Sequence, residues 1–271
     1  MTTSSSRSEH VAVAAPVAAF TVPPPPVPPA IEWRRAWRAM RRLMSNPEET
    51  EQAFETISAL SGRDFERVFQ RFVANPEGRA MYLARPSLLA ALADRAALRA
   101  LPAGSFGREY AAFMDAAGLD AQGLVDAEHK SEAATRLDGI DPDREWFGHR
   151  LRDMHDLWHV LTGYGRDEAG EAANLAFTFA HTPFRGIALI LFGIAVNVPP
   201  EKLGRVAWLR YLYRAWRRGR ESAWLPAAHW ERLLPRPIEE VRRTLRIAPA
   251  TAVHPEGVIV ATIYSAQPAG A

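Results

Sequence analysis

The chain has 271 residues, 48% of them hydrophobic, so it is long enough to bury one large core or two small ones. The formal net charge is only +2, which argues against a general nucleic-acid binder. There is no cysteine, so disulfides and thiolate ligands are excluded and any metal must be held by histidines and carboxylates.

Residues 1–30 are rich in serine, alanine and proline and include the run Pro23-Pro24-Pro25-Pro26. Such a segment cannot bury a core and is expected to be disordered or locally polyproline, outside the fold. Its apolar run over 11–20 is broken by Pro16, so no secretory signal is expected. Residues 31–44 read as a helix whose stripe is Trp33, Trp37, Met40 and Met44, with Arg34, Arg35, Arg38, Arg41 and Arg42 around it. Such a helix either lies on an anionic membrane surface or docks on the domain with its arginines solvated. Asn46-Pro47-Glu48-Glu49 carries the signals of a helix start, and the helix continues through Phe54 and Ile57 to Gly62. Phe65, Val68, Phe69, Phe72 and Val73 mark the next helix, which stops at Asn75-Pro76, where Asn75 caps another. One helix is expected through Leu88, Leu89, Leu92 and Leu98. A Pro- and Gly-containing loop over 101–107 then opens a helix carrying Tyr110, Phe113 and Met114, ended by Gly118.

Residues 145–162, preceded by Asp141-Pro142, are expected to form a single helix with the apolar stripe Phe147, Leu151, Met154, Trp158 and Leu161. His155 and His159 stand at i and i+4 beside that stripe, and Asp156 is about 100° round from His155. The Gly163-Tyr164-Gly165 turn lets the chain reverse, and a second helix from about Gly170 returns Glu171 to the same point. Two imidazoles and two carboxylates converging from a helical hairpin suit a divalent cation. On the second helix Glu171, Asn174, Thr178 and His181 share one face, a polar row that is costly to bury without partners. A metalloprotease reading is weaker, since Asp156 stands where the general-base glutamate would be.

Residues 186–198 are uncharged, and thirteen residues are too few to span a bilayer, where about 20 are needed. A buried helix is expected there, forming an apolar wall for a long hydrophobic substrate. Residues 205–224 interleave Trp208, Tyr211, Tyr213, Trp216 and Trp224 with six arginines but carry no nucleic-acid motif. They read either as a solvated basic face over an aromatic core or as a contact for anionic headgroups or acidic partners. A last short helix is expected over 238–245, then a loose tail with a possible strand over 257–264. No stretch alternates well enough to build a sheet. The expected fold class is all-α, a single multi-helix domain over 31–247 with a metal-binding helical hairpin. A disordered Pro-rich N-terminus (1–30) and a loose C-terminal tail (248–271) flank it.

The motif His155-Asp156-x-x-His159-(x11)-Glu171 resembles that of the coenzyme Q (ubiquinone) biosynthesis protein 4 family. Leu101-Pro102-x-Gly104-x-Phe106-Gly107-Arg108-Glu109-Tyr110, Arg152, Gly219, Trp224, Trp230-Glu231 and the 238–247 segment also match, so the resemblance covers roughly 54–247. It implies metal ligands at His155, Asp156, His159 and Glu171, holding zinc or, failing that, ferrous iron or manganese. It implies a role in ubiquinone biosynthesis on a polyprenylated head group derived from 4-hydroxybenzoate, with removal of the C1 carboxylate and hydroxylation at that carbon. On that reading His181 would shuttle a proton, Arg152 would pair with the substrate carboxylate, and Asn174 and Thr178 would support the ligands. The alternative is a non-catalytic scaffold that binds prenyl lipids around a structural metal. Expected partners are the prenylated substrate, an anionic membrane surface, other ubiquinone biosynthesis proteins and a second copy in a homodimer, with no nucleic acid. The expected location is cytoplasmic and peripherally membrane-associated.

Overall fold

The computed structural model describes residues 24–46, 49–118, 141–197 and 204–260, and among them it is helical, with no strand. The first helices are α1 (Trp33–Ser45), α2 (Glu51–Ala59), α3 (Asp64–Ala74), α4 (Pro76–Ala84), α5 (Leu88–Ala93), α6 (Arg95–Ala100) and α7 (Phe106–Ala116). They are followed by α8 (Pro142–Asp153), α9 (His155–Thr162), α10 (Glu168–His181), α11 (Arg185–Asn197) and α12 (Arg205–Glu221). Short helices α13 (Trp230–Leu233), α14 (Ile238–Thr244) and α15 (Ala250–Val253) complete the described chain.

Local chemistry sets most of these boundaries. Asn75 accepts hydrogen bonds from the Glu77 and Gly78 amides and Pro76 supplies a preset first turn, so α4 begins where the Asn-Pro pair predicts. Asp141 and Pro142 open α8 in the same way. The helix expected over Leu88–Leu98 is two, because the Asp94 carboxylate turns to cap the Ala97 amide and restarts the chain as α6. Asn46 closes α1, and α2 begins later than expected, at Glu51; Pro47 and Glu48 of the expected start lie outside the described residues. The single helix expected over 145–162 is also two, divided at Met154, whose ψ of −4° tightens the turn between α8 and α9.

The core is one large cluster threaded by α9, α10 and α12, with Trp208, Trp230, Phe106, Tyr110, Leu157 and Phe177 fully packed. A smaller cluster joins α3 and α4 to α8 through Phe69, Phe72 and Phe147. α10 and α12 cross so closely that a Cβ on Gly219 would stand 2.7 Å from the Phe177 carbonyl oxygen, so only glycine fits there. α1 docks on α2 and α11 through Ala36, Ala39, Met40 and Leu43, whereas Trp33 and Trp37 of the expected stripe face outward. α11 buries Gly186, Ile187, Ile190, Gly193 and Ile194, so the buried helix expected there does pack on the core, but Phe192 and Val196 on its other side are exposed. Arg218, read as part of a solvated basic face, is buried.

Contacts reach past both expected ends of the domain. Residues 24–30, read as outside the fold, run along the domain, and the Arg144 Nη2 donates to the Pro24 carbonyl at 3.1 Å. The tail past 248 also packs: His254 is buried, and Val258 and Ile259 rest on the core. Residues 257–260 form no strand, and the rest of the strand expected over 257–264 lies outside the described residues. No helix among the described residues is long and apolar enough to cross a membrane.

Candidate metal centre

α9 is short, and its C-terminal carbonyls would be orphaned in the core without partners. Two arginines supply them. Arg242 donates to the Leu161 and Val160 carbonyls at 2.9 and 3.0 Å, and Arg218 donates to the Thr162 carbonyl at 2.8 Å. Positive charge at a helix C-terminus also suits its dipole. Gly163, at φ 73°, then turns the chain in a conformation that costs glycine little. Asp167 caps α10 by accepting from the Gly170 amide, which sets Glu171 in the first turn beside α9.

The result brings three donor atoms to one point. His155 Nε2 and His159 Nε2 are 3.2 Å apart, and Glu171 Oε2 stands 3.6 Å from the first and 3.2 Å from the second. Ligand atoms around a tetrahedral ion, each about 2.0–2.2 Å from it, are roughly 3.3–3.6 Å apart, so the triangle has the size of one tetrahedral face. His159 Nδ1 donates to the Tyr164 carbonyl at 3.1 Å, which places the ring proton there and leaves the Nε2 lone pair facing the other two donors. Phe113 stacks on the His159 ring at a centroid distance of 5.9 Å and fixes its plane.

The electrostatics of His159 and Glu171 favour a positive charge between them. Burial alone would raise the Glu171 carboxyl pKa, but the His159 charge and hydrogen bonds from both histidines outweigh it and hold the carboxyl well below the usual carboxylate range. Burial would likewise lower the His159 pKa, and the adjacent Glu171 carboxylate outweighs it and raises it. Two imidazoles and a carboxylate gathered at one point are a donor set suited to a divalent cation.

His155 and Glu171 reach the wall of a cavity of about 1010 Å³, with His159 behind them and wholly buried. The cavity runs between α1, α2, α3, α8, α10 and α11 and is walled by Leu43, Ile57, Leu151, Leu175, Ile187 and Ile190 among others. Pro25, Pro26, Pro28 and Pro29 form part of the same wall. Arg144, Gly148, Leu151 with Arg152, and His155 mark successive turns of α8 and the start of α9 along it, about 16 Å from Arg144 to His155.

The other expected site residues fall differently. Asp156 is not among the donors that converge; its Oδ1 accepts from Arg166 Nη1 at 3.0 Å, because one residue beyond His155 carries it round to the side of α9 that faces the following loop. Arg152 does line the cavity, one turn before His155, and donates to Asp153 Oδ1 at 2.8 Å through Nε. His181 is buried against Trp158 and Phe177, with its Nδ1 facing the Leu225 amide at 3.5 Å and its Nε2 facing Ser222 Oγ at 3.4 Å. Burial and Arg71 lower its pKa to about 3, which favours the neutral ring, and it is not on the cavity wall. Asn174 and Thr178 share the expected face of α10, yet neither side chain has a hydrogen-bond partner among the described residues. The group that does support a ligand is the Tyr164 carbonyl, which sequence reading missed. The one signal for it was an aromatic residue between two glycines just past the second histidine.

The profile of coenzyme Q (ubiquinone) biosynthesis protein Coq4 matches residues 36–251. The chain belongs to this family. A ubiquinone biosynthesis protein coq4 of Aspergillus terreus, named mitochondrial, is 30% identical over 181 residues, covering 67% of this chain and 59% of that protein. Its counterpart in Uncinocarpus reesii is 30% identical over 182 residues, covering 67% of this chain and 61% of that one. This Coq4 member therefore spans about three fifths of the length of these curated relatives. A crystal structure from Nostoc punctiforme, named for ubiquinone biosynthesis, superposes with a TM-score of 0.59 at 20% identity, covering 80% of this chain and 99% of that one. That likeness shows a shared fold.

Proposed function

We propose that this Coq4 member serves ubiquinone biosynthesis by holding one divalent cation on His155, His159 and Glu171. There it exchanges the C1 carboxylate of a polyprenylated, 4-hydroxybenzoate-derived ring for a hydroxyl group. The observation that carries the reading is a three-donor cluster opening onto a large apolar cavity. Three protein ligands with a free fourth direction are typical of catalytic sites, whereas structural sites are closed by four. The tetrahedral size of the triangle favours zinc, with ferrous iron or manganese as the alternatives.

The chain's own residues supply the rest. Leu151, Leu175, Ile187 and Ile190 offer the prenyl tail an apolar wall and keep water from the ring. Arg152 stands one turn from His155 and orients the substrate carboxylate through charge-assisted hydrogen bonds. A cation at the triad would supply a fixed positive charge for a ring carboxylate or phenolate oxygen. The carboxyl group leaves as carbon dioxide and one oxygen atom takes its place. That balance requires dioxygen and two electrons from outside the chain, the second oxygen atom leaving as water. Trp33, Trp37, Phe192, Val206 and Leu209 are exposed on the packed helices α1, α11 and α12 among arginines, which supports peripheral contact with an anionic membrane from which the lipid enters.

The deciding experiment incubates metal-loaded protein with a carboxylated prenyl-phenol, oxygen and a reductant, and follows carbon dioxide and the hydroxylated product by mass spectrometry. Product formed by the wild type, and abolished in Glu171→Gln, supports the reading. Tight lipid binding with no turnover would overturn it in favour of a prenyl-lipid scaffold.

A further inference from the structure

The Tyr164 carbonyl that receives the His159 proton lies in the loop between α9 and α10, where no helix fixes its direction. Its own side chain does. The Tyr164 ring is fully buried, lies under the Arg218 guanidinium at 5.2 Å, and packs edge-on to Tyr211 and His254 at centroid distances of 6.3 and 5.6 Å. Tyr164 Oη stands 2.9 Å from His254 Nε2. His254 follows α15, three residues past the end of the stretch that matches the family profile.

We propose that Tyr164 and His254 are positioning residues of the metal centre. The Tyr164 hydroxyl donates to His254 Nε2, and this anchor holds the Tyr164 carbonyl where His159 Nδ1 donates to it, so that the C-terminal segment sets the aim of a metal ligand. The inference rests on the metal-binding reading given above. Three observations carry it. His254 is buried, and its Nδ1 has no partner among the described residues, so the bond to Tyr164 is the one its ring makes there. A buried imidazole with one bond is a costly way to fill space, and an apolar side chain would fill it better. Burial, followed by Arg218, lowers the His254 pKa to about 4, so the ring is neutral and offers a lone pair. The same turn is tied down by Arg214, which donates to Glu256 at 2.9 Å.

Outer partners of metal-binding histidines typically change affinity by about 10- to 100-fold, and a partner one bond further out falls at the lower end, about tenfold. The test compares Tyr164→Phe, His254→Leu and His254→Gln with the wild type in the full chain, with circular dichroism as the folding check. Zinc affinity is read by competition with a chromophoric chelator, and the ligand field by the visible spectrum of the cobalt-loaded protein. Tyr164→Phe and His254→Leu should each weaken zinc about tenfold and shift the cobalt bands. His254→Gln, which keeps an acceptor at similar reach, should recover most of both. Wild-type affinity and an unchanged cobalt spectrum in the first two variants would overturn the proposal. If the wild type binds neither metal, it is the metal-centre reading that fails. The anchor is then read by nitrogen NMR of His159 in metal-free protein. Loss of the Nδ1–H tautomer in Tyr164→Phe supports it, and an unchanged tautomer refutes it.

Discussion

Acidification from pH 6.5 to 5 should destabilise the metal-free protein through two buried histidines. His181 and His254 are all but inaccessible, and their pKa values are lowered to about 3 and about 4, chiefly by burial and secondly by Arg71 and Arg218 respectively. In the unfolded chain both titrate near 6.5. Below that pH the unfolded state binds protons that the folded state refuses, so stability falls with pH until the folded values are reached. The slope is half of its full value of about 1.36 kcal/mol per pH unit at about pH 6.5 and nears the full value by pH 5, so the interval costs about 1.6 kcal/mol per side chain and about 3 kcal/mol in all. The interval is chosen so that other groups stay silent. His159 has a raised pKa, and its contribution is fully present below 6.5. Glu66, Glu171 and Glu231 have lowered values, and their contributions hold down to about 4.5. For a domain of this size the loss corresponds to a fall of roughly 6–12 °C in Tm. Thermal unfolding by far-ultraviolet circular dichroism, at constant ionic strength, measures it. His181→Gln and His254→Gln should each remove about half of the fall. A wild-type Tm that changes by less than about 2 °C, or a double variant with the full slope, would refute the assignment of both residues as neutral core histidines.

Elemental analysis of purified protein should find about one divalent ion per chain, lost from a still-helical His159→Ala variant; equal metal content in the two would place the ion elsewhere. Arg242→Ala leaves the Val160 and Leu161 carbonyls unpaired and should cost about 2–3 kcal/mol, read from the urea midpoint, with an unchanged midpoint showing that water replaces the guanidinium. Removing residues 1–30 takes Pro25, Pro26, Pro28 and Pro29 from the cavity wall. If that exposes about two methylene equivalents of a bound tail, binding of a fluorescent prenyl-phenol weakens about tenfold with helicity intact. Undiminished binding would show that the tail lies elsewhere.

The sequence carries those parts of the fold that depend on near neighbours. The stripes of α3 and α9, the caps at Asn75-Pro76 and Asp141-Pro142, and the i, i+4 histidines with Glu171 are all set within a few turns of chain. What it does not carry is settled by distant partners. Asp156 has the right spacing for a ligand, yet its place round α9 from His155 turns it to Arg166 in the following loop instead of to the cluster. His181 shares the polar face of α10, yet Trp158, Ser222 and Leu225 close over it. The Tyr164 carbonyl is a backbone atom and leaves no trace in residue type, and its anchor arrives ninety residues later. The divisions at Asp94 and Met154 are single-residue events inside otherwise continuous apolar patterns, and periodicity averaged over a window passes across them.

The proline wall of the cavity has a property that helices and strands lack. Five of the seven residues from 24 to 30 are proline and have no amide N–H, so the segment can lie against an apolar surface without stranding donors there. Polyproline carbonyls remain hydrated on the outside while the ring methylenes face inward, which makes the ribbon amphipathic with no internal hydrogen bond to break. Its tether is the bond from Arg144, a residue itself held by Glu66 and Asp141, to the Pro24 carbonyl. The cavity is thus bordered on one side by a stretch of chain that asks almost nothing of its surroundings in backbone hydrogen bonding.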